Sequence, residues 1–199
     1  QNQAGSRQAL GIPNDALVVM FGAGGGTSQR HKGADLLFDS VEALSKTHRT
    51  SNLGKPLRFV IFGEEGETEM RHGVTIQFLG RLNDEQLRAA YSSADVFVAP
   101  SRLEAFGQVA AEAQSCGTPV VAFDNSGLSD VVEHEVTGHL ARAFEPASLA
   151  ESLWWVLADS ARREKLSANA RLRAKALWDP KVVSQAYVSV LEIAASEHL

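Results

Sequence analysis

Short apolar runs alternate with amphipathic stretches as far as Pro146, after which the apolar runs stop. Residues 17–21, 57–62, 74–79, 95–99 and 119–123 are brief and rich in Val, Ile and Phe, and a shorter run follows at 138–140. Gly22, Gly63, Gly80 and Pro100 close the first four of them. Runs of this length and composition predict strands, and their largely apolar character, alternating with helices, predicts burial on both faces. Between them, residues 33–44 carry Leu36, Leu37, Val41 and Leu44 at helical spacing. Residues 85–92 follow a capping Asn83 or Asp84, and residues 107–115 and 128–133 complete the interleaved helices.

Strand-helix alternation of this kind predicts an α/β domain, a Rossmann-like parallel sheet with helices on both faces. Residues 147–158, 161–177 and 182–195 then read as added C-terminal helices, with Trp154, Trp155 and Trp178 as packing anchors. Residues 1–199 are expected to form a single domain, the opening up to Leu10-Gly11-Ile12-Pro13 reading as linker. Ligands of open parallel sheets bind beyond the carboxyl ends of the strands. The glycine loop after residue 21, the Gly63 and Gly80 loops and the loop from Pro100 to Gly107 all fall on that rim.

Residues 101–140 are the most informative stretch. Glu104 precedes a helix start at Phe106-Gly107, and Glu112 follows inside an alanine-rich helix ended by Cys116-Gly117-Thr118-Pro119. Free amides at a helix start hold an anion, and flanking carboxylates accept hydrogen bonds from hydroxyls. An anion and hydroxyls on one ligand indicate a sugar nucleotide. On residue grounds alone, Glu104 also reads as a helix N-terminal charge favoured by the dipole, and Glu112 as a surface residue. A nicotinamide fingerprint is a poor reading of Gly22 to Gly26, because Gly22-x-Gly24-x-x-Thr27 lacks the third glycine.

Composition narrows this further. With 44% apolar and 22% charged residues, the chain is of ordinary globular type. A net charge of −5 argues against a nucleic-acid partner. The single cysteine, Cys116, and the lack of any apolar run near the ~20 residues of a membrane span suggest a reducing cytoplasm. There is no Asp-x-Asp pair and no His/Cys/Asp cluster at metal spacing, so the expectation is metal-independent chemistry with no cofactor. The six histidines are scattered without a nucleophile partner.

Glu104-x7-Glu112, the preceding Ala94-Asp-Val-Phe-Val-Ala-Pro-Ser101 and the following Cys116-Gly-Thr-Pro-Val-Val-Ala122 resemble a family 4 retaining glycosyltransferase of GT-B fold. Lys32-Gly33 before a helix and Phe78-Leu-Gly-Arg-Leu82 extend the likeness. It matches the C-terminal, donor-binding half of such enzymes, with the N-terminal acceptor domain absent from the sequence.

The resemblance implies transfer of a sugar from a nucleotide-diphosphate donor to a glycan, glycolipid or polysaccharide acceptor. It implies that Glu104 contacts the sugar and Lys32 the diphosphate, and that Glu112 accepts from the ribose. Phe106, Gly107 and Gln108 would lie at the diphosphate, with the backbone amides as its ligands and Phe106 reading as a packing residue. Gly63, Glu64, Arg81 and Leu82 are candidate walls of the base pocket. The family arginine six residues before Lys32 is here Gly26, which leaves Arg30 as its substitute. A cytoplasmic enzyme placed at the inner face of a membrane by the other half is the implied setting. Two rival readings remain at this point, a GT-B sugar-nucleotide epimerase and a noncatalytic nucleotide-sugar-binding module.

Overall fold

The structure, a computed structural model, describes residues 2–22, 26–51 and 53–196. Fifteen helices and strands follow in the order α1 Gln3–Ala9, β1 Leu17–Gly22, α2 Ala34–Thr50, β2 Leu57–Phe62, β3 Glu69–Arg71, β4 Val74–Phe78, α3 Asp84–Ser93, β5 Val96–Ala99, α4 Gln108–Ser115, β6 Val120–Phe123, α5 Leu128–Val131, β7 Gly138–Ala141, α6 Pro146–Leu157, α7 Ser160–Trp178 and α8 Pro180–Ser196. Two 3-10 turns, Gly26–Ser28 and Arg30–Lys32, join β1 to α2.

The strands form one sheet in the order β3-β4-β2-β1-β5-β6-β7. Every pairing is parallel except β3 with β4. Alternate residues of β1 serve opposite layers. Leu17, Val19 and Phe21 join α2 and α6 in one core, and Val18 and Met20 join α3 and α4 in the other. All six β1 residues are buried, so the predicted two-sided burial is observed. Each large apolar side chain taken fully out of water in this way contributes about 1.5–3 kcal/mol.

Two elements differ from expectation. The opening is a helix rather than a linker, and a buried arginine holds it. Arg7 donates to the carbonyls of Ser93 (2.9 Å), Asn14 (2.8 Å) and Ala16 (3.1 Å) and pairs with Asp95 at 2.9 Å. Asp95 in turn accepts from the Val18 amide at 2.7 Å. A helix docked through charge rather than an apolar stripe gives no hydrophobic periodicity to read.

The second difference is β3, which is too polar and too short for a strand pattern. His72 and Gly73 join it to β4 with positive φ values of 50° and 79°, as a tight hairpin turn requires. The cap of α3 is Asn83, which forms a reciprocal capping box with Gln86. Trp154 and Trp155 pack against the first core and Trp178 against the second, as anchors. No described helix is long and apolar enough to cross a membrane.

Candidate functional site

At the carboxyl edge of the sheet, the Arg30–Lys32 turn and the loop after β5 press against each other. Gly33 has φ 72°, and a Cβ there would lie 1.8 Å from the Pro100 carbonyl oxygen. Only glycine permits that approach. The turn thereby delivers Lys32, whose Nζ forms an ion pair with Oε1 of Glu104. The two side chains are 19% and 14% exposed, enough removed from water to strengthen their attraction.

Glu104 is fixed at several points. Its Oε1 also accepts from Ser101 Oγ at 3.1 Å, its amide donates to Ser126 Oγ at 3.2 Å, and its carbonyl accepts from the Gly127 amide at 3.0 Å. The loop then enters α4 through Gly107, which is buried at φ 95° and meets Leu128 so closely that a Cβ would stand 2.7 Å from its Cδ2. Gly107 is the N-cap of α4 and contributes no side-chain cap, so the positive end of the helix faces the rim without a capping oxygen.

Glu112 sits farther along α4 with different partners. Tyr91 donates its hydroxyl to Oε2 at 2.9 Å, and Gln108 donates its amide to Oε1 at 3.1 Å. Burial, and then the Glu112 carboxylate, push the Tyr91 phenol well above its ordinary range, so it stays a donor. A cavity of about 520 Å³ opens beside this pair, between α3, α4 and Arg171.

The model of the family described as "Glycosyl transferases group 1" matches residues 4–173, most of the chain. The chain belongs to that family. A "D-inositol 3-phosphate glycosyltransferase" from Xylanimonas cellulosilytica is 38% identical over 177 residues, which cover 87% of this chain and 42% of the relative. The fold superposes on sucrose-phosphate synthase from Thermosynechococcus elongatus with a TM-score of 0.77 and 27% identity, covering 98% of this chain and 50% of that one. It also superposes on HepE from Anabaena in complex with UDP-glucose, with a TM-score of 0.75, 24% identity, and coverage of 95% and 52%. The last likeness is one of fold alone. The chain spans roughly half the length of the relatives it matches.

Within this group 1 domain, the structure joins some of the residues singled out from sequence and separates others. Lys32 and Glu104 touch, and Gly107 lies between Glu104 and Glu112 in the chain that links them. Gln108 belongs to the Glu112 set. Phe106 is 43% exposed and meets Trp178 edge-on, with ring centroids 5.7 Å apart. Arg30 is exposed, and its carbonyl accepts from Arg102.

Gly63 already spends its amide on the Gly80 carbonyl at 2.8 Å, so it braces two rim loops together. Leu82 packs on the second core. Of the glycine loop, Gly24 and Gly25 lie outside the described residues.

Tyr91 falls in the helix expected over residues 85–92, and its distance of 21 positions from Glu112 hides their contact in the sequence. Glu64, a candidate wall of the base pocket, accepts from both the amide and the hydroxyl of Thr27 and ties the β1 loop to the β2 loop.

The expectation of no metal-spaced cluster needs correction. His134, Glu135 and His139 offer ligand atoms within 4.8 Å of one another, because β7 turns back on the residues before it. The chemistry of the set is nevertheless unfavourable. The Leu140 amide donates to Nδ1 of His134 at 3.0 Å, which places the neutral ring's proton on Nε2, the nitrogen nearest Glu135. A cation at Nε2 requires that proton to move to Nδ1, opposite an N–H donor.

Proposed function

We propose that this domain is the donor-binding half of a retaining glycosyltransferase that moves a sugar from a nucleotide diphosphate to a glycan or lipid-linked acceptor. The observation that carries the proposal is the Lys32–Glu104 ion pair set beside the uncapped start of α4. An ammonium has three donors, so one bond to Glu104 leaves two for diphosphate oxygens. The α4 amides at Gly107 and Gln108 add a fixed positive field, with no reorganisation needed as the leaving group gains charge.

Glu104 then has lone pairs left for sugar hydroxyls, and its negative charge favours the positive charge that develops at the anomeric carbon. Glu112 takes the ribose hydroxyls on the far side of the diphosphate. Arg30, exposed on the same turn as Lys32, supplies the second cation where the family arginine is replaced by Gly26. Phe106 walls the diphosphate subsite, and Gly63 and Leu82 frame the base.

Because cationic side chains and amides meet the phosphates, we expect the reaction to need no divalent cation. The UDP-glucose complex of HepE supports a nucleotide sugar as ligand. The preceding half of a longer chain would contribute the acceptor surface. α8 fits such a neighbour, since Tyr187, Val190, Leu191 and Ile193 are all more than half exposed on it.

The test is a thermal-shift panel of nucleotide sugars against the chain, with and without EDTA. Ligands that bind only the folded state raise its apparent stability. One donor should raise the midpoint in both buffers, and Glu112→Ala should reduce the rise at equal ligand concentration. No shift with any nucleotide sugar, or a shift that EDTA removes, would refute the reading.

A further inference from the structure

The turn that carries Lys32 has little structure of its own. Arg30–Lys32 is one 3-10 turn, and its N-cap Gln29 makes no side-chain cap. Arg102, two positions before Glu104 on the facing loop, bonds to it at several points. The Arg102 amide donates to the His31 carbonyl at 2.7 Å, and its Nη1 donates to the Arg30 carbonyl at 2.9 Å. The same guanidinium grips Asp35 with both arms, at 2.7 Å each. Behind it, Asn125 donates to the Arg102 carbonyl at 2.8 Å.

One side chain thus ties together the residues on both sides of Lys32, from the loop that also holds Glu104. The hydrogen bond from Arg102 holds the Asp35 carboxyl below its usual range. The guanidinium's planar fork meets both Asp35 oxygens in parallel and still reaches the Arg30 carbonyl. A lysine has three donors, but all on one nitrogen, and cannot match the two carboxylate oxygens in that bidentate geometry. An isolated exposed ion pair would contribute little, but here it fixes a short turn against a loop, and that restricts where Lys32 can go.

We infer that Arg102 is a positioning residue for the Lys32–Glu104 pair, holding the cation in register with the carboxylate before any ligand arrives. The consequence for binding rests on the donor-site reading above; the consequence for the ion pair does not.

Two measurements test it. The first is the coupling between Lys32 and Glu104 in the unfolding equilibrium of the chain, from K32A, E104A and the double variant. A coupling of about fivefold is expected with Arg102 present, falling toward one when the cycle is repeated with R102A. The second is affinity for the nucleotide sugar identified by thermal shift. R102A should weaken it about tenfold, R102K should recover little, and R102A should add nothing to K32A.

Should R102A fold poorly, D35N loosens the fork without removing it and should give the same pattern at smaller size. Unchanged Lys32–Glu104 coupling, or effects of R102A and K32A on affinity that simply multiply, would overturn the inference. If the wild-type chain binds no nucleotide sugar, the donor reading fails and the coupling cycle alone decides for or against Arg102.

Discussion

Glu104 and Glu112 are the same residue type eight positions apart, yet the fold places them in unlike surroundings. Glu104 is on a loop, with a cation on one oxygen and a hydroxyl donor beside it. Glu112 is on a helix, and a phenol and a primary amide, both neutral, bond its two oxygens. The first arrangement is an ion pair with spare donors on the cation. The second is a carboxylate whose charge is not cancelled by either bonded partner, with one further lone pair on each oxygen. The difference teaches how one motif spans a ligand of mixed charge. A diphosphate needs the cationic end, and a pair of adjacent ribose hydroxyls needs acceptors. Helix α4 separates the two by a fixed distance.

The sharpest way to break the comparison is to remove the cation. Lys32→Ala leaves a mostly buried carboxylate beside the place where phosphates would sit, replacing attraction with repulsion. Donor affinity measured by calorimetry should fall about 100-fold or more. Glu112→Ala removes only hydrogen-bond acceptors, and a loss of about 10-fold to 30-fold is expected, of the size of charged hydrogen bonds. Equal losses in the two variants would mean that the carboxylates do not divide the ligand as argued.

How much of this was legible in the sequence depends on which force sets each feature. The sheet and its covering helices were readable because burial leaves apolar runs, unbroken from Leu17 to Phe21 and from Phe59 to Phe62. The ends of the motif were readable because Glu104 and Glu112 stand eight positions apart on either side of Gly107. Helix α1 was not, since Arg7 anchors it by hydrogen bonds to carbonyls, which any sequence possesses. Nor was Tyr91 as partner of Glu112, or Arg102 as the brace of the Lys32 turn. Both are contacts between segments distant in the chain, and only the sheet order brings those segments together. The His134–His139 contact hid for a simpler reason, as two histidines five apart face each other only when the chain doubles back.

A subtler change sharpens the comparison within the Glu112 set. Tyr91→Phe keeps the ring, which packs edge-on against Phe62 and Phe97 at 5.6 Å and 5.5 Å, and deletes only the hydroxyl. One hydrogen bond to a charged oxygen is lost, while Gln108 still orients the other oxygen. Affinity should fall about fivefold, well short of the Glu112→Ala loss. A loss as large as that of Glu112→Ala would mean that Tyr91 itself touches the ligand.

The smallest effect separates the pH dependence of the fold from that of the site. His139 is packed between His134 and Trp155, with ring centroids 4.3 Å and 4.8 Å away, and its Nδ1 is buried without a partner. Burial, then the neighbouring His134, lowers its pKa below the ordinary 6.5, while Glu135 opposes and Arg162 adds to the shift. The unfolded chain therefore binds this proton more readily than the folded one. Stability should decline as pH falls below 6.5 and level off beneath the folded pKa. His139→Leu should flatten that decline in urea titrations at a series of pH values. Because His139 makes no contact with Lys32, Glu104 or Glu112, the same variant should leave the pH profile of donor affinity unchanged. An altered profile would tie this end of β7 to the binding site and undo the separation.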